Sequence, residues 1–221
     1  MWNFFRVLLA VVSLILVLAI VWRFISYRWQ LPCPSWLGWM VEADNPFTKI
    51  NRSANIIKSL ELQQGMNVLD AGCGPGRITI PMAQKVGSQG TIFALDIQKE
   101  MLEWVKEKAH TANLNNIIFI CVGLGDGKLE QNKYDRATLV TVLGEILNQK
   151  KALQEIFNAL KPGAILSITE TLFDPHYQRF SVILNLAQQV GFQKKKVFSD
   201  WFSYNLLLEK PISMLETKVI K

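Results

Sequence analysis

"NVLDAGCGPGRITIPMA", residues Asn67 to Ala83, is the stretch on which the reading of the whole chain turns. A strand-like apolar run ends in Asp70, passes through Gly72, Gly74 and Gly76, and resumes with the spacing of a helix. In a wound α/β sheet the first strand delivers a ligand at its carboxyl end, where the next helix points its N-terminal amides outward. Glycines there permit positive φ and let a ligand approach the backbone, where a Cβ would collide with it. The corner is therefore expected to hold a small molecule. The dinucleotide pattern G-x-G-x-x-G is not met, because position 77 is Arg; the pattern is acid-x-G-x-G-x-G. An acid just ahead of the loop suits a positively charged ligand better than a pyrophosphate.

Outward from that corner the chain alternates strands and helices. Ala54 to Leu62 reads as a helix ending near Gly65, and "MNVLDA" as a buried first strand. Helical "GRITIPMAQKVG", strand "GTIFALDI", helical "QKEMLEWVKEKAHTANL" and strand "NIIFICVG" follow. Next come strand "YDRATLVTVL", helical "NQKKALQEIFNALKPG", strand "AILSITETL" and a helix from about Tyr177 to Val190. The tail carries two β-rich runs broken near Ser199 and Asp200, expected to pair as an antiparallel hairpin at the sheet edge. The expected fold is α/β, a doubly wound, Rossmann-like, mostly parallel seven-stranded sheet. Its second strand ends at Asp96, 20 residues after Gly76, where a carboxylate can hold a ribose diol. An N-cap for the helix starting near Gln98 is the plainer role for Asp96, and both can hold together.

The N-terminus is a second signal. From Val7 to Trp22 the run "VLLAVVSLILVLAIVW" has no charge, and if Arg23 snorkels it extends to Ile25, so residues 7–25 can span a bilayer. The following "RFISYRWQ" offers no small-residue cleavage site, which disfavours a removed signal peptide. Trp2, Trp22, Trp29, Trp36 and Trp39, five of the seven tryptophans, lie before residue 40. The stretch "WQLPCPSWLGWM" is expected either to rest on the membrane surface or to pack on the domain. Arg6 precedes the span and Arg23, Arg28, Lys49 and Arg52 follow it, so the C-terminal side is expected to face the cytoplasm. This divides the chain into an anchor at 1–28, an interfacial linker at 29–49 and a domain at 50–221. The net charge of +6 rests partly on three arginines that precede the first acid, Glu42. The remainder is too evenly balanced to argue for nucleic acid. Cys33, Cys73 and Cys121 are scattered and show no metal-ligand spacing, which fits a reducing compartment.

Residues 50 to 211 resemble a class I S-adenosylmethionine-dependent methyltransferase, similar to the ubiquinone, menaquinone and small-molecule methyltransferases. "VLDAGCGPG" resembles the family's first motif, "ALDIQKEML" its ribose-binding strand, and "ALQEIFNALKPGAILSITE" the helix, turn and fifth strand after the active-site strand. The resemblance implies S-adenosyl-L-methionine as cofactor and a reversed, antiparallel last strand. It places Asp70, Gly72, Cys73, Gly74 and Gly76 around the methionine moiety, Asp96 on the ribose, Ile97 against the adenine, and Thr141 in the same set. Many members end the third strand in an acid that meets the adenine; the ungapped match here is Gly123, so either Asp126 or backbone near Leu124 takes that part. The fourth-strand tip, often "LHH" in this group, reads "LGEI", which puts Gly144 and Glu145 opposite the methyl group.

With an activated methyl, catalysis needs in-line positioning, exclusion of water and removal of a proton from the acceptor. Glu145 is the first candidate base; His176 and Tyr177, just beyond the fifth strand, are the second. No metal is needed. The acceptor is expected to be a small molecule, hydrophobic or lipid-like, reached from the membrane side, and no nucleic-acid partner is expected. A non-catalytic nucleotide-binding adaptor and a nicotinamide oxidoreductase are the alternatives, the loop spacing counting against the second. The acceptor atom and the oligomeric state are left open.

Overall fold

The apolar run Asn67–Ala71 becomes β1, the strand from which the sheet grows to both sides. The structure, a computed structural model, describes residues 2–30, 32–45 and 47–212; the domain end assigned to 213–221 lies outside the described residues. β1 lies parallel between β2 (Thr91–Asp96) and β4 (Tyr134–Val140), Leu69 pairing with Phe93 on one side and Ala137 on the other. β3 (Ile117–Cys121) adds in parallel to β2, and β5 (Leu160–Thr171) to β4. β7 (Ser203–Glu209) then enters antiparallel between β5 and β6 (Gln193–Ser199), giving the order β3-β2-β1-β4-β5-β7-β6. The winding changes direction between β1 and β4, so a crevice opens at their carboxyl ends.

The expected terminal hairpin forms, but only β6 lies at the edge. β7, "SYNLLLE", is buried at all but its last residue, whereas β6, "QKKKVFS", is exposed and carries three lysines. An edge strand marked by lysines resists pairing with other chains, and an apolar strand must be covered on both sides. Along the central strands the pleat sends alternate residues to opposite faces. Leu69, Leu139, Leu166 and Leu206 pack against α6 (Gln149–Ala159) and α7 (Phe180–Val190). Val68 and Ile92 pack against α3 (Ser53–Ser59) and α4 (Thr79–Val86), and Ala94 against α5 (Lys99–Thr111).

Several boundaries moved from those expected. β5 starts at Leu160 rather than Ala164, since Leu160 pairs with Tyr134 across an irregular register. α7 begins at Phe180 rather than Tyr177, because Arg179 is extended (φ −67, ψ 138) and the preceding residues form a hydrogen-bonded loop. α3 stops at Ser59, and Glu61 turns the chain with φ 50.

Ahead of the domain, α1 (Trp2–Trp29) is one unbroken helix whose described side chains from Phe4 to Phe24 all face outward. The 23 residues Phe4–Ser26 are long and apolar enough to cross a membrane, about 34 Å at ~1.5 Å per residue against a hydrocarbon core of ~30 Å. Among its described side chains only those of the last turns meet the domain: Ser26 is buried, and the Arg23 guanidinium donates to Leu172 O at 3.1 Å. The linker, with the short α2 (Gly38–Glu42), lies on α5: Gln98 Nε2 donates to Cys33 O at 2.9 Å, Lys108 pairs with Glu42 at 2.6 Å, and Gly38 sits under the Trp104 ring. Its Trp36 and Trp39 side chains nevertheless point away and stay exposed. Of the two expectations for this stretch, packing on the domain holds for the backbone, while these two indoles stay exposed.

Leu139, fully buried near the carboxyl end of β4, tests this core. Leu139→Ala is expected to lower unfolding stability by about 2–5 kcal/mol, read as a lower denaturant midpoint with an unchanged slope.

Candidate active site

A cavity of ≈ 520 Å³ opens at the carboxyl ends of β1, β2 and β4. The β1–α4 loop forms its floor, and its shape follows from two local ties. Gly72 N and Cys73 N both donate to Leu95 O, at 2.7 and 2.9 Å, and Gly74 N donates to Asp96 Oδ2 at 2.9 Å. Gly72 has φ 73, and a Cβ there would lie 2.4 Å from Val142 Cγ2, so this backbone fits only glycine. Gly74 has φ 51 and no described residue within 4 Å of a would-be Cβ: the space beside it belongs to the cavity.

Two carboxylates flank this loop. Asp70, at the end of β1, accepts from Thr79 Oγ1 at 2.6 Å; burial pushes its carboxyl up to about 6 against that hydrogen bond. Asp96 is 7% exposed and accepts from Gly74 N on one oxygen and from Gln98 N on the other, at 2.9 and 2.8 Å. Burial also raises its pKa, the amide bonds from Gln98 and Gly74 opposing. With one lone pair of each oxygen used, the carboxylate is held rigid and keeps acceptor capacity toward the cavity. Because α5 starts one residue after Gln98, the Asp96–Gln98 bond is a turn contact at the strand tip.

Across the cavity, the Asp126 carboxylate folds back so that Oδ2 stands 3.2 Å from where a Gly123 Cβ would be. The acid absent from position 123 is thereby brought beside it from position 126. At the tip of β4, Thr141 takes φ 56, a strained state for a β-branched residue, held by Thr141 N donating to Thr169 O at 2.9 Å. This kink turns the chain into the 3-10 turn Leu143–Glu145, which carries Glu145 to the wall. Burial foremost, with the neighbouring Asp174 carboxylate next, pushes Glu145 up to about 8, against a hydrogen bond from Cys33 N–H.

Of the residues singled out in the sequence, Asp70, Gly72, Cys73, Gly74, Asp96, Ile97, Gly123, Leu124, Asp126, Thr141 and Glu145 all line this cavity. Gly76 does not; with φ 87 it lies against Val105 of α5 and shapes the loop from behind. His176 and Tyr177 also lie off the cavity. His176 is 3% exposed, and its Nε2 meets Ser26 O at 2.9 Å and Ser26 Oγ at 3.0 Å. A carbonyl can only accept, so Nε2 carries the proton. Nδ1, 3.7 Å from Glu145 and 3.8 Å from Asp174, has no hydrogen-bond partner among the described residues. Tyr177 faces a separate groove between the β5–α7 loop and β6–β7. Sequence reasoning missed Asp174, whose carboxylate lines the cavity and accepts from His176 N at 2.7 Å. Its position just past the end of β5 was the available signal. It also missed Trp29, Gln30, Pro32, Cys33 and Val41, linker residues that wall the cavity; no local pattern marks them.

The fold and the glycine cradle define a class I S-adenosylmethionine-dependent methyltransferase, and comparisons with known proteins agree. A family described as methyltransferase domain matches residues 62–204, and the chain belongs to it. The demethylmenaquinone methyltransferase of Listeria welshimeri is 31% identical over 115 residues, 52% of this chain and 49% of that protein. That of Staphylococcus aureus is 33% identical over 116 residues, 52% of this chain and 47% of that protein. The chain spans about half the length of these curated relatives. A solved S-adenosylmethionine-dependent methyltransferase from Aquifex aeolicus matches with a TM-score of 0.72 at 20% identity, covering 81% of this chain and all of that one. Phosphoethanolamine methyltransferase 2 of Haemonchus contortus, solved with S-adenosylhomocysteine, matches at 0.64 and 16% identity, covering 79% and 56%. At such identities the structural likeness is one of fold. S-adenosylmethionine is the cofactor this family and fold imply, and the open space at Gly74 and the two acceptor carboxylates fit it.

Gly74→Val would fill that space, and Asp96→Ala would remove the carboxylate facing it. Each is expected to weaken S-adenosylhomocysteine binding by about 100-fold or more, the worth of one or two charge-assisted hydrogen bonds or of a steric block. Calorimetry on variants with a parental unfolding transition checks this.

Proposed function

We propose that this protein is a membrane-anchored methyltransferase acting on a small hydrophobic or lipid-like acceptor. The observation that carries the reading is the composition of one cavity: the glycine loop and Asp96 form one side, and Trp29, Gln30, Pro32, Cys33 and Val41, from the end of the membrane-length helix and the linker after it, line the other. An acceptor resident in the bilayer would reach the cavity from that side, and tethering raises its effective concentration. Two relatives carry names that specify demethylmenaquinone as substrate, which supports an acceptor of this hydrophobic class. In this reading residues 1–28 are the anchor, 29–49 an interfacial linker and 50–221 the catalytic domain, which the basic residues after the span turn toward the cytoplasm.

S-adenosylmethionine bound in the cavity supplies a sulfonium methyl already activated for transfer. Asp96 then holds the ribose hydroxyls and Ile97 packs on the adenine, with Asp126 beside it. Asp70 and the glycine loop surround the methionine moiety. Glu145 takes the acceptor proton as the methyl is transferred. Because Asp174 shares the wall and burial disfavours charge on both, the carboxyl pair can hold that proton close by. The linker excludes water.

A screen with labelled S-adenosylmethionine and the full chain in vesicles of membrane lipid extract is expected to put label into the organic-soluble fraction, and Asp96→Ala to abolish it. Label only in water-soluble products would reject the lipid-like acceptor. The ionised form of Glu145 is the base, so kcat/KM is expected to rise with pH through about 8, where the free enzyme deprotonates. Glu145→Gln should lower kcat by about 10²- to 10⁴-fold and remove that rise. Its affinity for S-adenosylhomocysteine should stay within about threefold of the parent, under 1 kcal/mol.

A further inference from the structure

Among the described residues outside α1, several large apolar side chains stay exposed at the carboxyl edge of the parallel strands, the edge at which α1 meets the domain, while Ile118, Val182, Val197 and Ile212 are scattered singly elsewhere. Besides the linker tryptophans, the β5–α7 loop exposes Leu172 (43%) and Phe173 (52%), and the β6–β7 turn exposes Trp201 (91%) and Phe202 (42%). These four form one patch. Leu172 N donates to Phe202 O at 2.8 Å, and the Phe173 and Phe202 rings lie 5.4 Å apart. A contiguous patch of this kind on a folded domain marks an interaction surface, since scattered single residues are the ordinary case.

Its partner follows from its position along the helix. Leu172 O accepts from Arg23, and Arg23 lies inside the membrane-length segment Phe4–Ser26, one turn before its end. Ser26, the last residue of that segment, is buried against His176 on the same loop. If the segment spans a bilayer, a loop bonded to its last turn is at the depth of the interface, where aromatic rings are favoured. The turn is also built for low water. Asp200 Oδ1 accepts from Phe202 N, Ser203 N and Ser203 Oγ, its Oδ2 accepts from Ile50 N, and Asp200 N donates to Ser203 O. With these polar groups satisfied within the protein, immersion of the tip costs little desolvation, while the Trp201 indole supplies apolar area.

We propose that the Leu172–Phe173 loop and the Trp201–Phe202 turn form a second membrane contact that seats the domain edge in the headgroup layer of the bilayer that α1 spans. The domain then has three points of attachment, the span, the linker tryptophans and this patch, and its cavity is held at a fixed tilt to the lipid surface. This rests on the membrane-anchor reading above.

The test uses the full chain in vesicles of phosphatidylethanolamine and phosphatidylglycerol. Cys33 and Cys121 are changed to Ser, buried Cys73 is kept, and single cysteines are introduced as Phe173→Cys, Trp201→Cys, Leu14→Cys and Ser88→Cys for an environment-sensitive dye. Ser88 is exposed at the opposite end of the sheet and serves as the aqueous control. Binding of S-adenosylhomocysteine by each labelled protein confirms the fold. Expected are a blue-shifted emission at 173 and 201 and quenching by headgroup-region nitroxide lipids several-fold above that at 88, with Leu14 quenched best by deep nitroxides. If 14 is in lipid while 173 and 201 match 88, the domain stands off the bilayer and the proposal is overturned with the anchor intact. A blue shift at 173 and 201 without nitroxide quenching means that protein, such as a second copy, covers the patch, and also overturns it. If 14 itself is not quenched, the span fails and this inference with it.

Discussion

Asp96 receives the amides of Gly74 and Gln98 on its two oxygens, at 2.9 and 2.8 Å, and the rest of the site depends on that clamp. It joins three pieces of chain: the loop after β1, the tip of β2 and the entry to α5. Each would otherwise be free to move on its own. The cost is a carboxylate buried deeply enough to raise its pKa, offset by hydrogen bonds at both oxygens. Because the same group faces the cavity, the contact that holds the loop also presents an acceptor to ligand. Leu95 O reinforces it by accepting from Gly72 N and Cys73 N.

The wall around Glu145 is organised by burial of like charge. Glu145, Asp174 and Glu170 converge below the linker, and burial is the largest influence on each, raising all three pKa values. Arg77, the guanidinium on the cavity wall, is engaged elsewhere by Asp44 and Asn51. Burial that raises a carboxyl pKa favours the protonated form, so such groups hold a proton more readily than exposed ones. His176 contributes from behind: it holds Asp174 through its amide and α1 through its ring. The residue type most often assigned to chemistry serves here as a socket for the helix end, and Gly144 lets it fit, since a Cβ there would come within 2.0 Å of His176 O.

Local pattern alone was enough for the parallel strands, the glycine loop and the acid at the tip of β2, because each of these depends on neighbours within one βαβ unit. The alternation of apolar runs dictates which segments become strands, and glycine at 72 and 74 is legible as a backbone requirement. The membrane-length helix is likewise a property of one uninterrupted run of residues. Long-range contacts decided the remainder. That Asp126 comes beside position 123 depends on a loop folding back, and that Glu145 reaches the wall depends on the strained turn at Thr141. Asp174 and the linker residues join the cavity across more than a hundred positions of chain, and His176 leaves it because Ser26 claims its ring at |i−j| of 150. Periodicity and spacing report on residues a turn or a strand apart; which side chain faces a shared cavity is set by packing between segments distant in sequence, and only the assembled fold brings those together.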